Sequence, residues 1–328
     1  MAADLILVTG ATGFLGQHLV PQLLADGLAV RALVRSTSQA AALQASGVEL
    51  AYGDIRDGEA VDRAISGCRY VIHAAGYFRF WGDTQLFEDI NLGGARAVCQ
   101  AAVKNQVERL VHISTIAVVG DPAAGEIIDE NTPCRPQDGY QRSKCAAEQY
   151  ILAMVASHGL PAVILRPGAY FGPGSRYGFN RLFIEEPMRG WRVKVDGGRR
   201  LTFPVFVPDV ARAARLAIRR GNPGEIYNIS GDSVTHDEVN RMVSPLLGIS
   251  AWRLKVNRSM MIALAALMEA LAKLTRREPF YPLNLRHYVF NDWQVRSEKA
   301  RSQLGFEPTP LQEGLRQTVV WYKMAAGK

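Results

Sequence analysis

Tyr140 and Lys144 are the two residues of this 328-residue chain whose types and spacing most directly suggest chemistry. They lie in "GYQRSKCAAEQY", residues 139–150, which is typical of the start of a helix. Side chains four residues apart share one helix face, so the ammonium lies one turn from the phenol. A phenol titrates near pH ~10, and a positive charge within ~4–6 Å can lower its pKa by units. The spacing favours a tyrosine prepared for proton transfer over two residues that only support a helix.

A glycine-rich segment, "TGATGFLG" at residues 9–16, joins a predicted buried strand to a predicted helix. In a dinucleotide site, the first glycine permits the tight turn, the second lets the backbone approach a pyrophosphate, and the third lets helix and strand pack closely. The helix N-terminus then offers amide donors to the anion. The strand before and helix after this segment favour such a site over an ordinary strand–helix turn. The residues expected to contact the cofactor here are Gly10, Thr12, Gly13, Phe14, Leu15 and Gly16.

The end of the second predicted strand, "VRALVRSTS", indicates which dinucleotide is bound. NAD enzymes usually place a carboxylate there for the ribose hydroxyls, whereas this chain has Arg35. The guanidinium fork matches a 2′-phosphate, and Ser36 and Ser38 could add hydrogen bonds. We therefore expect NADP rather than NAD, the alternative being a solvated arginine at a strand end.

Two further strand ends are expected to border the cofactor. Asp54, in "GDIRD", is placed to accept a hydrogen bond from the adenine amino group, with Ile55 against the ring. The alternative for Asp54 is a turn-forming role. In "HAAG", the small residues Ala74 and Ala75 would let the chain pass beside a flat cofactor.

Alternation of short apolar runs with helical patterns defines the fold class. Strands that are apolar nearly throughout, separated by helices, predict a doubly wound α/β fold with a parallel sheet covered on both faces. We expect a dinucleotide-binding domain over 1–170 and a smaller substrate lobe over 171–328, with 203–230 returning to the main sheet. Predicted strands cover 4–10, 29–35, 48–54, 68–76, 107–115 and 161–168, and predicted helices cover 14–27, 38–47, 58–66, 84–105 and 139–158.

Composition and charge exclude several classes of protein. With 48% hydrophobic and 21% charged residues, the chain has the composition of a soluble globular protein, and we expect it in the cytosol. Its four scattered cysteines predict reduced thiols and no metal site. Residues 251–328 carry 13 basic and 6 acidic side chains, which is the entire net charge of +7. The sequence has no dense basic patch of the kind that binds nucleic acid. An anionic membrane surface is a candidate partner for the basic C-terminal part.

With these motifs, the chain resembles the extended short-chain dehydrogenase/reductase family. The resemblance rests on "TGATGFLG", "HIST", "YQRSK" and "LRPGAYFGPG", and it covers essentially the whole chain. It implies that Tyr140 transfers a proton to or from the substrate oxygen. Lys144 would bind the nicotinamide ribose and lower the pKa of the tyrosine.

Several further roles follow from the same resemblance. Thr115 would hold the substrate oxygen, with Ser114 as its neighbouring substitute. Asn91 matches a family asparagine near the catalytic site. Pro167 and Ala169 match positions that line the nicotinamide.

Substrate identity is less determined, and three alternatives stay open. "VRALVR" and "FPVFVPDVARA" resemble the dihydroflavonol reductase and 3β-hydroxysteroid dehydrogenase branches, which implies a ketone or secondary alcohol of a hydrophobic molecule. Nucleotide-sugar epimerases and dehydratases usually carry an Arg-Asp pair where this chain has Thr202 and Phe203, although Arg199 and Arg200 are close enough to substitute. A cofactor-binding sensor would generally lack the tyrosine–lysine pair.

Two loops and one helix are candidates for contact with substrate or partners. The aromatic loops are expected to wall the substrate or, alternatively, only to pack. The apolar stretch 259–274, with basic residues on both flanks, predicts an interfacial helix at a membrane, a substrate lid, or an ordinary lobe or dimer helix. The family resemblance also implies a homodimer through the helices 84–105 and 139–158. The loop residues concerned are Tyr77, Phe78, Phe80, Trp81, Phe171, Tyr177 and Phe179, and the flanking basic residues are Arg253, Lys255, Arg258, Lys273, Arg276 and Arg277.

Overall fold

A computed structural model describes residues 4–35, 38–275 and 278–326, and a parallel sheet forms its centre. The strands in these residues are β1 (Leu5–Thr9), β2 (Ala29–Val34), β3 (Glu49–Tyr52), β4 (Tyr70–His73), β5 (Arg109–Ile113), β6 (Ile127–Ile128), β7 (Ala162–Pro167), β8 (Ala169–Phe171), β9 (Val193–Val195), β10 (Leu201–Thr202), β11 (Pro204–Phe206), β12 (Ile226–Ile229), β13 (Val234–Thr235), β14 (Leu254–Val256) and β15 (Gln294–Val295). Seven of them form the sheet in the order β3-β2-β1-β4-β5-β7-β12, with every neighbouring pair parallel.

Helices cover both faces of this sheet. They are α1 (Gly16–Ala25), α2 (Ser38–Ala45), α3 (Gly58–Ile65), α4 (Thr84–Phe87), α5 (Gly94–Lys104), α6 (Gly139–His158), α7 (Glu186–Met188), α8 (Val207–Arg220), α9 (His236–Leu247), α10 (Arg258–Thr275), α11 (Arg286–Val289) and α12 (Leu311–Ala326). Helices α1 and α8 pack on one face, and α3, α5 and α6 pack on the other. Strands buried on both faces explain the near-continuous apolar runs in the sequence. In the described part of the chain, no helix is long and apolar enough to cross a membrane.

The predicted doubly wound α/β fold is confirmed, and helix α6 has the predicted bounds. Strand β12 joins the main sheet beside β7, whereas β11 pairs with β8 in a separate ribbon. The domain boundary at residue 170 stays a prediction.

The predicted continuous helix 84–105 is wrong in one respect. A π-helical segment, Glu88–Gly93, interrupts it between α4 and α5. The two glycines of "NLGG" have low helix propensity and allow the wider turn. This segment carries Asn91 and turns its side chain toward the site described below.

The strand order reverses between β1 and β4, which defines where a ligand binds. Chain crossovers run to opposite sides from this point, so the loops after the two strands separate and leave a crevice at their carboxyl ends. The glycine segment follows β1, and Ala74 and Ala75 follow β4. The sequence motifs therefore converge on the topological switch point.

Candidate active site

The glycine segment is packed so tightly that larger residues would not fit. Gly10 has a φ of 75°, and a Cβ there would lie 2.7 Å from the backbone nitrogen of Ala75. A Cβ at Gly16 would lie 2.3 Å from the carbonyl oxygen of Ala11. These contacts support the predicted turn and packing roles of Gly10 and Gly16.

A cavity of about 750 Å³ extends from the glycine segment to the aromatic loops. Its volume lies within the range of cofactor and substrate pockets. The predicted residues that line it are Gly10, Thr12, Gly13, Phe14, Leu15, Arg35, Asp54, Ile55, Ala74, Ala75, Tyr77, Phe78, Phe80, Thr115, Tyr140, Ala169, Tyr177 and Phe179. The structure thus brings together most of the residues that the sequence selected. Seven others do not line the cavity, namely Gly16, Trp81, Asn91, Ser114, Lys144, Pro167 and Phe171.

Two arginines lie at the end of the cavity that is formed by β2 and β3. Arg35 is exposed there, and Arg56, which the sequence did not single out, lines the same wall. Arg56 donates from Nε to Asp54 Oδ1 at 2.8 Å and from its terminal nitrogen to Oδ2 at 3.0 Å. This hydrogen-bonded guanidinium lowers the pKa of Asp54 to about 2. Ser36 lies outside the described residues, as does the side chain of Ser38.

The Asp54–Arg56 pair changes the expected role of Asp54. Both of its carboxylate oxygens are engaged by Arg56, so an adenine amino group would have to share them. Ile55 packs against Gly94, where a Cβ would come within 2.8 Å of Ile55 Cγ1. The predicted apolar contact of Ile55 with the ring is compatible with its place on the cavity wall.

Tyr140 and Thr115 are neighbours in the lining of the cavity. Thr115 directly follows the Ser114 that ends "HIS", and its hydroxyl accepts a hydrogen bond from Ala117 N–H at 3.2 Å. Burial raises the pKa of the Tyr140 phenol, and the neighbouring Tyr170 raises it further, while the Thr115 hydroxyl opposes the rise. Ser114 is buried and does not line the cavity. The structure therefore places Thr115, and not Ser114, beside the phenol.

Lys144 lies behind the cavity wall rather than in it. Its ammonium donates to the carbonyl oxygen of Ile113 at 2.6 Å and lies 3.3 Å from Nε2 of His112. Burial lowers the pKa of Lys144 to about 8. Burial dominates the pKa of Tyr140 in the protein alone and raises it, opposite to the lowering that is expected from this lysine.

A protonated lysine nevertheless stays available to a ligand. An ammonium has three N–H donors and no acceptor, and described residues engage two of the three. The third donor is free to serve a ribose hydroxyl or the phenol when the cofactor is bound. Lys144 therefore fits the role in binding the nicotinamide ribose that the family resemblance implies. It would do so through its third N–H donor, which the spacing from Tyr140 did not predict.

Two buried histidines lie in the sheet next to Lys144. His73 on β4 and His112 on β5 lie with ring centroids 5.1 Å apart, and His73 Nδ1 is hydrogen-bonded to the Thr9 hydroxyl at 2.8 Å. Because Lys144 can only donate, His112 Nε2 accepts, and its proton resides on Nδ1. Burial lowers the pKa of His73 to about 3 and that of His112 well below its usual value. Both histidines lie in quoted segments, His73 in "HAAG" and His112 in "HIST". Sequence reasoning assigned them no role because a single histidine near the end of a buried strand has no diagnostic spacing.

Asn91 connects two parts of the site. It is buried, and its Oδ1 accepts from Tyr77 N–H at 2.7 Å while its Nδ2 donates to Tyr77 O at 3.0 Å. The same Nδ2 donates to the Ser143 hydroxyl at 2.9 Å, and Ser143 donates to the carbonyl of Tyr140 at 2.8 Å. Asn91 thus ties the aromatic loop to α6, and its predicted role in catalysis stays a prediction.

The predicted substrate contact of Phe171 is corrected by its burial, whereas the predicted contacts of Trp81 and Pro167 stay predictions. Phe171 is 1% exposed and packs in a core with Phe179 and Phe206, so it cannot reach a substrate. Trp81 lies outside the cavity lining. Pro167 is buried at the end of β7, and the following residue, Gly168, lines the cavity in its place.

Aromatic side chains wall the cavity next to Tyr140. The Phe78 ring lies 4.6 Å from that of Tyr140, and Phe80 stacks on Tyr177 at 5.3 Å. The Tyr177 hydroxyl accepts from Phe80 N–H at 2.9 Å and thereby links the two loops. Tyr288 on α11 completes this wall, with its ring 5.1 Å from that of Phe80. No sequence motif identifies Tyr288, which lies far along the chain in an irregular segment.

A smaller chamber of about 80 Å³ adjoins the main cavity beneath α10. The two spaces share the lining residues Leu182, Phe183, His236, Leu285 and Val289. Met261, Ile262 and Ala265 on α10 form part of the chamber roof. The site is thus extended on the side away from the glycine segment by a mainly apolar space.

Comparison with known proteins agrees with this geometry. Residues 6–230 match the family model described as the NAD dependent epimerase/dehydratase family. The chain belongs to this family, which comprises the extended short-chain dehydrogenases/reductases. It is therefore an NAD(P)-dependent enzyme that acts on CH–OH groups, and the tight glycine turn and adjoining cavity fit a nicotinamide dinucleotide.

Individual relatives are named for different kinds of substrate. The chain is 32% identical to sterol demethylase protein B of Methylococcus capsulatus over 97% of this chain and 98% of that protein. It is also 32% identical to the 4-hydroxy-2-methyl-3-oxo-4-farnesyl-3,4-dihydroquinoline-1-oxide ketoreductase of Stigmatella aurantiaca, over 91% and 90% of the two chains. Among solved structures, the dTDP-glucose 4,6-dehydratase DesIV of Streptomyces venezuelae, with NAD and TYD bound, matches with a TM-score of 0.80 and 26% identity over 98% of each chain.

Proposed function

We propose that this enzyme interconverts a ketone and a secondary alcohol on a hydrophobic small molecule, with NADP(H) as its cofactor. The observation that carries the proposal is the aromatic wall of Phe78, Phe80, Tyr177 and Tyr288 around Tyr140. Such a surface suits an apolar ring or chain better than a sugar diphosphate, because the latter needs charged and hydrogen-bonding partners. The farnesylated substrate named for the Stigmatella ketoreductase has the chemistry that such a wall accommodates.

The chemistry divides between cofactor and protein. When bound, the nicotinamide supplies or accepts the hydride at the substrate carbon. The Tyr140 hydroxyl gives a proton to the substrate oxygen during reduction and takes it back during oxidation. The Thr115 hydroxyl holds the same oxygen, and the buried ammonium of Lys144 lies behind the phenol. Arg35 lines the cavity at the end formed by β2 and β3, and its guanidinium would pair with a 2′-phosphate there.

A nucleotide-sugar epimerase or dehydratase is the alternative, and the likeness to DesIV favours it. The arginines offered above as diphosphate ligands are engaged elsewhere. Arg200 pairs with Asp292 at 2.6 Å, and Arg199 donates to the carbonyl of Asp196 at 3.2 Å. Neither lines the cavity, whereas Thr202 and Phe203 do. This arrangement supports the apolar substrate over the sugar diphosphate.

A turnover screen distinguishes the two functions. The purified protein would be incubated with NADPH or NADH and with ketosteroids, isoprenoid ketones, aliphatic ketones, UDP-sugars or dTDP-sugars. We expect NADPH consumption with apolar ketones and none with the sugars. The Thr115→Val variant, which removes only the hydroxyl, should lower this turnover. A sugar that is isomerised or dehydrated without net cofactor change would overturn the proposal.

A further inference from the structure

Helix α10 presents an apolar stripe to solvent. Its most exposed large residues are Met260 at 61%, Leu267 at 59%, Leu271 at 53% and Leu274 at 82%, with Leu264 at 38% between them. Their spacing of three and four residues aligns them along one face. The stripe spans about 21 Å at 1.5 Å per residue. Exposed apolar patches of this kind mark binding surfaces.

The opposite face of α10 is already packed against the protein. Met261, Ala265 and Ala272 are buried, and Met261 and Ala265 pack with Tyr281 and Leu285. The sole acidic residue of the helix, Glu269, accepts a hydrogen bond from Leu283 N–H at 2.8 Å and so is held against the body. The helix is therefore anchored on one side and apolar on both. The exposed stripe is not needed for the packing of the chain on itself.

Basic and aromatic residues surround the stripe. Trp252 and Leu254, just before the helix, are 65% and 54% exposed. Lys255, Arg258 and Lys273 are exposed at its two ends. The sequence places Arg276 and Arg277 next, outside the described residues. Basic side chains beside a Trp-edged apolar face match the interfacial region of a bilayer with anionic headgroups.

We propose that α10, together with Trp252 and Leu254, docks on the surface of a bilayer that contains anionic phospholipid. The charge pattern argues against a second copy of the chain as the occupant. Exposed basic residues lie at both ends of α10, so a twofold contact along the helix would bring basic residues of the two copies together. The helix would lie in the plane of the surface, since no described helix can cross a membrane. Docking does not depend on which substrate the enzyme takes.

Vesicle flotation tests this proposal with the full chain. Vesicles of phosphatidylcholine alone would be compared with vesicles of phosphatidylcholine and phosphatidylglycerol in a 3:1 ratio. The double variant L267E/L271E removes the stripe, and K255E/K273E reverses two of its flanking charges. The matched control V320E/M324E changes two exposed apolar residues of α12, which are 40% and 67% exposed. Cofactor binding and far-ultraviolet circular dichroism would check that each variant folds.

We expect the native protein and V320E/M324E to float with the anionic vesicles and to be released by high salt. L267E/L271E should lose binding by about ten-fold or more, and K255E/K273E should weaken it. The proposal is overturned if the native protein does not float, or if L267E/L271E floats as well as the native protein. It is also overturned if sedimentation shows a dimer that L267E/L271E converts to a monomer, since a second copy would then cover the stripe.

Discussion

The ammonium of Lys144 lies 3.3 Å from Nε2 of His112. The i, i+4 spacing of Lys144 and Tyr140 did not predict this contact. Together with the carbonyl of Ile113, this imidazole fixes the lysine against β5. A neutral histidine that accepts from an ammonium stabilises its charged form, in a region where burial favours the neutral form. His112 is thus a positioning residue for the lysine that the family chemistry requires.

The paired variants His112→Leu and His112→Gln separate hydrogen bonding from packing. The leucine removes the acceptor, so we expect the pKa of Lys144 to fall further and kcat to drop by about ten-fold, equivalent to about 1.4 kcal/mol. The glutamine retains an acceptor near the position of Nε2 and should restore most of the rate. The measurement is the pH profile of kcat/KM, in which the alkaline limb of His112→Leu should move to lower pH. Identical profiles for the two variants would show that the imidazole is only a packing group.

The pH dependence of stability reports on the buried His73. Its folded pKa of about 3 lies below the ordinary histidine value of 6.5, so the unfolded chain takes up a proton first as the pH falls. The free energy of unfolding should therefore decrease below pH ~6.5, by up to about 1.4 kcal/mol per pH unit for this residue. His73→Asn keeps a polar partner for Thr9 but does not titrate. Denaturant unfolding of both proteins between pH 7 and 5 should give a shallower slope for the variant, and equal slopes would contradict a neutral buried His73.

Phe78 and Phe171 were grouped together by sequence, but the structure gives them different roles. Phe171→Ala should lower the free energy of unfolding by about 3–5 kcal/mol, because it leaves a cavity in a packed core. Phe78→Ala should cost much less stability and raise KM for an apolar ketone, because the ring lies on the cavity wall beside Tyr140. Unfolding curves and steady-state kinetics measure the two effects. A large KM effect for Phe171→Ala in a fully folded variant would restore it as a substrate contact.

This contrast shows what sequence reasoning can reach. Six strands of the main sheet and α6 were predictable because apolar runs and helical spacing follow directly from burial. The glycine segment was predictable because its geometry excludes side chains. Phe171 was misassigned because an aromatic residue in a loop-like stretch looks the same whether it faces a cavity or a core. Tyr288 and His112 were missed because their roles depend on packing between distant parts of the chain. A single sequence carries no local signal for such packing.

The proposed preference for NADP over NAD rests on Arg35. Arg35→Ser removes the guanidinium proposed to bind the 2′-phosphate, so KM for NADPH should rise by about ten-fold or more while KM for NADH changes little. Arg56→Ala is the matched control, since that guanidinium is already paired with Asp54. The ratio of kcat/KM for NADPH over NADH measures the preference. If Arg35→Ser leaves this ratio unchanged, the NADP assignment fails.

Proton transfer by the Tyr140 hydroxyl is tested most directly by the kcat of the Tyr140→Phe variant. The substitution removes only the hydroxyl and keeps the ring that packs against Phe78. We predict that kcat for the ketone identified in the screen falls by about 10²–10⁴-fold, the range for loss of a general acid or base, while the Kd for NADPH stays within about three-fold of the native value. A kcat that stays within a few-fold of the native enzyme would contradict proton transfer by Tyr140.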